Sequence, residues 1–286
     1  MACRASRRAF PALVALAACT AVAPEASAQL RRAPATRHVS LVQARDLVVG
    51  YGLDYRSAAG FPLSGATGDL FTPIVFTAGY GLGSGAIVEL RANAWQILRT
   101  DSINAPPVDL NPEALDGTTS DFGDFRIATR FRVIGGERGL WGGLGFELKL
   151  PTGREAKGIT TNTTDVALTG LAGLREGRWL VTAEAGVGIL EVPLENFVQN
   201  DVLVYGAEAL YSAGGGRLRF AAGLHGRAST RPDPPLGTED LGEVAVGADC
   251  TLGGFLLDAA VLVGYTELSP DWGLSLGVAY NVSALR

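Results

Sequence analysis

From Leu47 onward, apolar residues recur at every second position. Leu47, Val49, Tyr51, Leu53 and Tyr55 share one face, and Gly50, Gly52, Asp54 and Arg56 share the other. Val88, Leu90, Ala92 and Ala94 oppose Glu89, Arg91 and Asn93, while Phe125, Ile127, Phe131 and Val133 oppose Asp124, Arg126, Arg130 and Arg132. Leu144, Phe146, Leu148 and Leu150 oppose Glu147 and Lys149. The second half continues in the same way, with Glu184, Glu208, Arg219, Arg227, Glu243, Asp249 and Asp258 on the polar side of successive runs. A period of two marks a strand whose two sides meet different surroundings, and helical spacing fits these runs poorly. The pattern predicts about twelve strands of roughly ten residues, the length a tilted membrane-crossing strand needs. Two are less regular: 71–81, which contains Pro73, and 166–175.

The connections alternate in length. Gly81–Gly85, Gly135–Gly139, Glu176-Gly177, Ala213–Gly216 and Gly253-Gly254 are short glycine-rich turns suited to hairpins. Between them lie longer segments at 57–70, 98–121, 151–165, 191–201, 228–240 and 267–271. Short turns at one end and long loops at the other define an outer-membrane β-barrel, with the turns and both termini in the periplasm. The predicted fold is therefore all-β: a transmembrane barrel of about twelve antiparallel strands over residues 47–286. A soluble apolar-inward barrel of that size is excluded, because about eight strands already enclose only the room side chains can fill. A soluble two-sheet sandwich escapes that objection and stays open. Aromatic residues at the strand ends, such as Tyr80, Trp179, Phe255 and Tyr280 at one end and Tyr55, Phe146, Tyr265 and Trp272 at the other, form two girdles expected at lipid boundaries.

Composition agrees with this reading. Charged residues are 19% of the chain, below the usual quarter or so, and 38 glycines accompany an apolar content of 47%. No stretch beyond residue 28 approaches the roughly 18 uncharged apolar residues of a membrane-spanning helix. The first residues read as an address. Arg4, Arg7 and Arg8 precede an apolar stretch from Ala9 to Ala23, and Ala26-Ser27-Ala28 offers a cleavage site before Gln29. Residues 1–28 are thus expected to be a secretory signal peptide and 29–46 a periplasmic lead-in. Leu16-Ala17-Ala18-Cys19 also resembles a lipobox, which would make Cys19 a lipidated terminus instead. Cleavage before Gln29 removes three arginines and one glutamate, moving the formal charge from −5 to −7. Nothing basic enough for nucleic acid remains. Cys250 is then the sole cysteine, so no internal disulfide is expected.

On this topology the polar face lines a lumen. Its candidate lining residues are Arg56, Glu89, Arg91, Asp124, Arg126, Arg130, Arg132, Glu147, Lys149, Glu184, Glu208, Arg219, Arg227, Glu243, Asp249 and Asp258. Such charges need partners or water, since an isolated ion is costly to desolvate. An ion-paired lattice bracing the wall and a water-containing conduit both satisfy that need. The outer loops are acidic, with Asp101, Asp109, Glu113, Asp116, Glu191, Glu195, Asp233, Glu239, Asp240, Glu267 and Asp271 outnumbering Arg99, Arg154, Lys157 and Arg231. Solvated loops, a cation-favouring mouth, or contact with lipopolysaccharide through divalent ions would each use them. Only His38 and His225 exist, and His225 falls on the polar face among arginines. That placement does not suit a Ser–His pair facing lipid, so no catalytic residues, metal site or cofactor are expected.

Asp121-Phe122-Gly123-Asp124, a hairpin, and then Leu150-Pro151-Thr152-Gly153 followed by Asp165 carry a resemblance. The pattern resembles the outer-membrane transporter-like barrels named for the phenol meta-degradation pathway, over roughly residues 120–280. The resemblance implies a barrel that passes small, often aromatic, compounds, and it brings no catalytic residues. The expected function is passive transport of a small solute, aromatic or hydrophobic compounds included, through a polar lumen across the bacterial outer membrane. Expected partners are outer-membrane lipid and lipopolysaccharide, the solute itself, and the barrel-assembly machinery. A structural barrel with a closed, ion-paired lumen is the alternative, and a lipid-modifying enzyme a more distant one. The chain departs from common barrels at its end, where Val282 is followed by Ser283-Ala284-Leu285-Arg286 rather than a closing aromatic.

Overall fold

The computed structural model describes residues 45–282 except 84, 105, 116 and 194–197, with residue 113 described in its backbone alone. The signal segment, Cys19, His38, nearly all of the lead-in, Asp116, Glu195 and Ser283–Arg286 lie outside the described residues.

Among the described residues thirteen strands follow one another, with one short α-helix, α1 (Pro112–Leu115), in the long segment after the third. They are β1 (Leu47–Phe61), β2 (Ala66–Gly83), β3 (Ala86–Ile103), β4 (Thr118–Asp121), β5 (Phe125–Gly135), β6 (Gly139–Leu150) and β7 (Asp165–Glu176). The rest are β8 (Trp179–Glu191), β9 (Gln199–Ala213), β10 (Leu218–Ser229), β11 (Leu241–Leu252), β12 (Phe255–Gly264) and β13 (Trp272–Asn281). Strand β4 pairs only with the far end of β3, at Gln96–Arg99. The other twelve pair antiparallel with their chain neighbours, and β1 closes the ring against β13. Closure leaves no unpaired barrel edge. The sandwich alternative is thereby excluded.

The short connections lie at one end, the turn end, and the long ones at the other, the loop end. Gly135, Gly139, Gly177 and Gly253 take positive φ in the tight turns, a conformation only glycine adopts without strain.

Two differences from the sequence reading have a common cause. The segments 57–70 and 98–121 were expected to be loops, yet β1 runs to Phe61, β2 starts at Ala66 and β3 reaches Ile103. Register shifts between Arg56 and Ala59, and between Phe71 and Ile74, exchange the two faces partway along these strands. The alternation therefore breaks where the strand does not. Pro73 sits in one of these shifts, where no ladder donor is needed, and its carbonyl accepts the Tyr51 hydroxyl at 2.6 Å.

The outer face is apolar and exposed. Leu140 is 73% exposed, Leu168 58% and Val246 60%, values a water-soluble domain would not repeat around its girth. At the turn end Trp179 meets Tyr211, and Phe255 meets Tyr280; at the loop end Tyr55 meets Trp272. Tyr205 and Tyr265 lie over Gly226 and Gly242 with their hydroxyls 2.8 Å apart. Along the barrel strands the buried side chains point inward, so the lumen is the core, and the loop-end segments bury a few more, such as Leu63 and Asp121.

Candidate functional site

The lumen divides into three zones. At the turn end an apolar collar closes in. Val48, Ile87, Trp141, Leu180, Leu210, Leu256 and Ala279 occupy inner-face positions near that end and are all buried. Val48, Leu256 and Ala279 touch one another. The Trp141 ring takes the space where a Cβ of Gly173 would stand, so the glycine on β7 is what admits the indole on β6. The sequence reading missed this collar. Its signal is a doublet of apolar residues at strand ends, as in Leu47-Val48, Trp179-Leu180 and Phe255-Leu256, one pointing out and one in.

The middle zone holds paired charges. Arg130 on β5 donates to Glu89 on β3 at 2.6 Å, both almost fully buried. Arg91 reaches Asp54 on β1 at 2.7 Å, and Asp54 also accepts Ser275 Oγ at 2.5 Å. Arg219 pairs with Asp249 at 2.7 Å. Glu184 and Glu208 are buried on β8 and β9, and a Cβ at Gly277 would collide with the Asp258 carboxylate. Small residues on one strand thus make room for charged ones on the next. Pairing of this quality is required, because an unpaired charge here would keep its full desolvation cost.

Toward the loop end the lumen widens into a cavity of about 500 Å³. Its walls mix charge with apolar surface: Arg56, Arg91, Arg126, Glu147, Lys149, Arg227 and Glu243 line it together with Phe61, Leu70, Leu190, Val202, Leu241 and Leu268. Glu243 joins Arg56 on one oxygen and lies 3.4 Å from His225 Nε2 on the other. Arg126 pairs with Glu147 at 2.7 Å. Lys149 reaches Asp165 at 2.7 Å and Asp124 at 3.7 Å, and donates to Thr161 and Thr163 at 2.8 and 3.2 Å. Arg227 is held by the carbonyls of Glu239 and Gly237. Of the sixteen sequence-selected residues, Arg132 stands apart. It lies at the turn-end rim with its guanidinium on the Gly136 carbonyl.

The loop-end rim is built by the two sequence motifs. Thr152 Oγ1 donates to the Gly123 carbonyl at 2.6 Å, and Gly123 N–H donates to Asn93 at 2.8 Å. The buried Asp121 carboxylate accepts the Arg154 backbone N–H at 2.7 Å and its guanidinium at 3.2 Å. Burial pushes the Asp121 carboxyl upward, but these Arg154 bonds outweigh it and hold the group below the ordinary carboxylate range. The 151–164 segment also ties distant loops together, through Ser64 Oγ to the Gly158 carbonyl at 2.9 Å and Asn111 N–H to the Ala156 carbonyl at 2.9 Å. Several acidic loop residues cap backbone amides: Glu191 for Thr164 and Asp240 for Ser229. Among the described residues no group of His, Cys, Asp and Glu side chains is placed to hold a metal ion.

A closed antiparallel ring, an exposed apolar belt between aromatic girdles, and charges confined to the interior define an outer-membrane β-barrel. A solved structure shares this fold. The COG4313 outer membrane channel from Pseudomonas putida F1 aligns with a TM-score of 0.54 at 16% identity, over 91% of this chain and 99% of that one. The translocator domain of the autotransporter NalP from Neisseria meningitidis aligns at 0.48 and 14%, over 83% and 89%. The CymD monoaromatic hydrocarbon channel aligns at 0.44 and 11%, over 85% and 89%. Comparison with protein-family models and with curated protein sequences gives no match.

Proposed function

We propose that the chain mediates passive passage of a small solute across the bacterial outer membrane, entering at the loop end and leaving past the apolar collar. The observation that carries this reading is the cavity of about 500 Å³ in the loop-end half of the lumen, a volume typical of small-molecule sites. Its mixture of apolar and hydrogen-bonding walls suits a solute that is partly apolar, aromatic compounds included. The shared fold with a solved outer-membrane channel supports the same reading. The docking of Asp121–Asp124 against Leu150–Gly153 is in keeping with membership of the phenol meta-pathway barrels. The reading carries with it export through the N-terminal segment, insertion by the barrel-assembly machinery, and contact with lipopolysaccharide at the loop end. It makes the protein a conduit and not an enzyme. His225 faces the lumen beside Glu243, whereas lipid-cleaving chemistry needs its histidine at the lipid face.

The collar and the buried ion pairs favour a second reading, a structural barrel with a closed lumen. Planar-bilayer recording together with solute-driven swelling of liposomes separates the two. Passage predicts small but resolvable conductance and swelling with small aromatic solutes. Current at the lipid baseline at every salt concentration, with no swelling, leaves the structural barrel.

A further inference from the structure

The loop-end cavity carries an arrangement of charge that wall stability does not explain. Arg126 on β5 stands directly abreast of Arg91 on β3 and of Lys149 on β6, all on the inner face. Like charges side by side on one face of a sheet oppose pairing. The two flanking cations are withdrawn into their partners: the Arg91 side chain is 16% exposed on Asp54, and Lys149 is 6% exposed on Asp165. Arg126 is different. It contacts Glu147 through one nitrogen and leaves 48% of its side chain open, and that open surface faces the cavity.

Arg227 completes the arrangement from β10, five strands further round the wall. Backbone carbonyls hold its guanidinium, and among the described residues it makes no ion pair. Arg126 and Arg227 act on each other across the cavity, where Asp165, itself held by Lys149, attracts both. Two cations facing one cavity with spare donors form a receptor for an anion, and a guanidinium receives a planar carboxylate through two parallel bonds. The rest of the lining limits which anion fits. Glu147, Asp165 and Glu243 disfavour a multiply charged group, while Leu190 and Val202 offer an apolar shelf.

We propose that this cavity binds small apolar solutes bearing a single carboxylate, arene monocarboxylates being the fitting class, with the carboxylate on Arg126 and Arg227. This rests on the conduit reading for what is passed, but binding is measured without it. The test uses the mature chain folded in detergent micelles, with benzoate as probe, benzyl alcohol as its neutral counterpart, and empty micelles as blank in equilibrium dialysis. Benzoate is expected to bind saturably and more tightly than benzyl alcohol. Arg126→Gln and Arg227→Gln should each weaken benzoate by about tenfold or more, with benzyl alcohol within about twofold. Raising salt should weaken benzoate in the unsubstituted protein and leave benzyl alcohol unchanged, a readout that needs no variant to fold. Equal affinity for the two probes, or benzoate binding indifferent to salt and to both substitutions, overturns the proposal. Saturable benzoate binding without conductance or swelling keeps the site and removes the conduit; swelling without benzoate binding does the reverse.

Discussion

At the scale of single residues, position relative to the wall decides the energetic cost of a change. Val261 faces outward near the middle of β12 and is 48% exposed. Val261→Arg should cost about 2–4 kcal/mol, and Phe255→Arg, at the turn-end girdle of the same strand, about 0–1 kcal/mol. Unfolding in lipid vesicles measures both, and equal losses would contradict the assigned lipid-facing belt. Inside the wall the rule is different. Glu89→Gln keeps the shape of the side chain but leaves the buried Arg130 without its nearest carboxylate, and a buried charge stripped of its partner costs about 3–5 kcal/mol. Glu184 and Glu147 also act on Arg130, so the loss should fall at the lower end of that range. The same unfolding titration reads it, and a change under about 1 kcal/mol would show that this pair is dispensable to the fold.

At the scale of elements, the loop-end rim is a joint between the 121–124 and 150–154 segments, and Asp121 is its pin. The Asp121 carboxyl lies below its unfolded value near 3.9. Its contribution is therefore complete above that value and is lost as pH falls through the depressed folded value. Pepsin cleavage in 151–164 should speed up as pH falls below about 4, whereas Asp121→Asn should be cleaved readily throughout. Protection unchanged in that variant would place the joint elsewhere. Much of this architecture was legible in the chain. Two surroundings, lipid and lumen, impose period two on the barrel strands from β5 onward and on the turn-end parts of β1 to β3, and the turn glycines mark where it restarts. Other elements left no such trace. Strand β4 is Thr-Thr-Ser-Asp, polar on both sides, because it stands above the barrel against the end of β3 alone. The face exchanges in β1 to β3 hide strand inside apparent loop. Charge partners are separated too far to read: Arg56 meets Glu243 only because β1, β13, β12 and β11 lie side by side in the ring.

At the scale of the whole molecule, the lumen is asymmetric, wide and polar-walled toward the loops and narrow and apolar toward the turns. An apolar constriction resists conduction by excluding water, more than by charge. If solutes pass, the collar sets the conductance and the charged middle sets the selectivity. Trp141 is the largest collar side chain, and Gly173 makes the space it fills. Its indole N–H has no hydrogen-bond partner among the described residues, so the ring contributes bulk and no polar link to the wall. Trp141→Ala should therefore raise single-channel conductance several-fold with little change in reversal potential, while Trp141→Phe should stay close to the unsubstituted protein. Arg130→Glu, in the charged zone, should do the opposite and move the reversal potential toward cations. A Trp141→Ala channel with unaltered conductance would locate the narrowest point in the charged middle, where Arg130, Glu89 and Arg219 then become the residues that set both flow and selectivity.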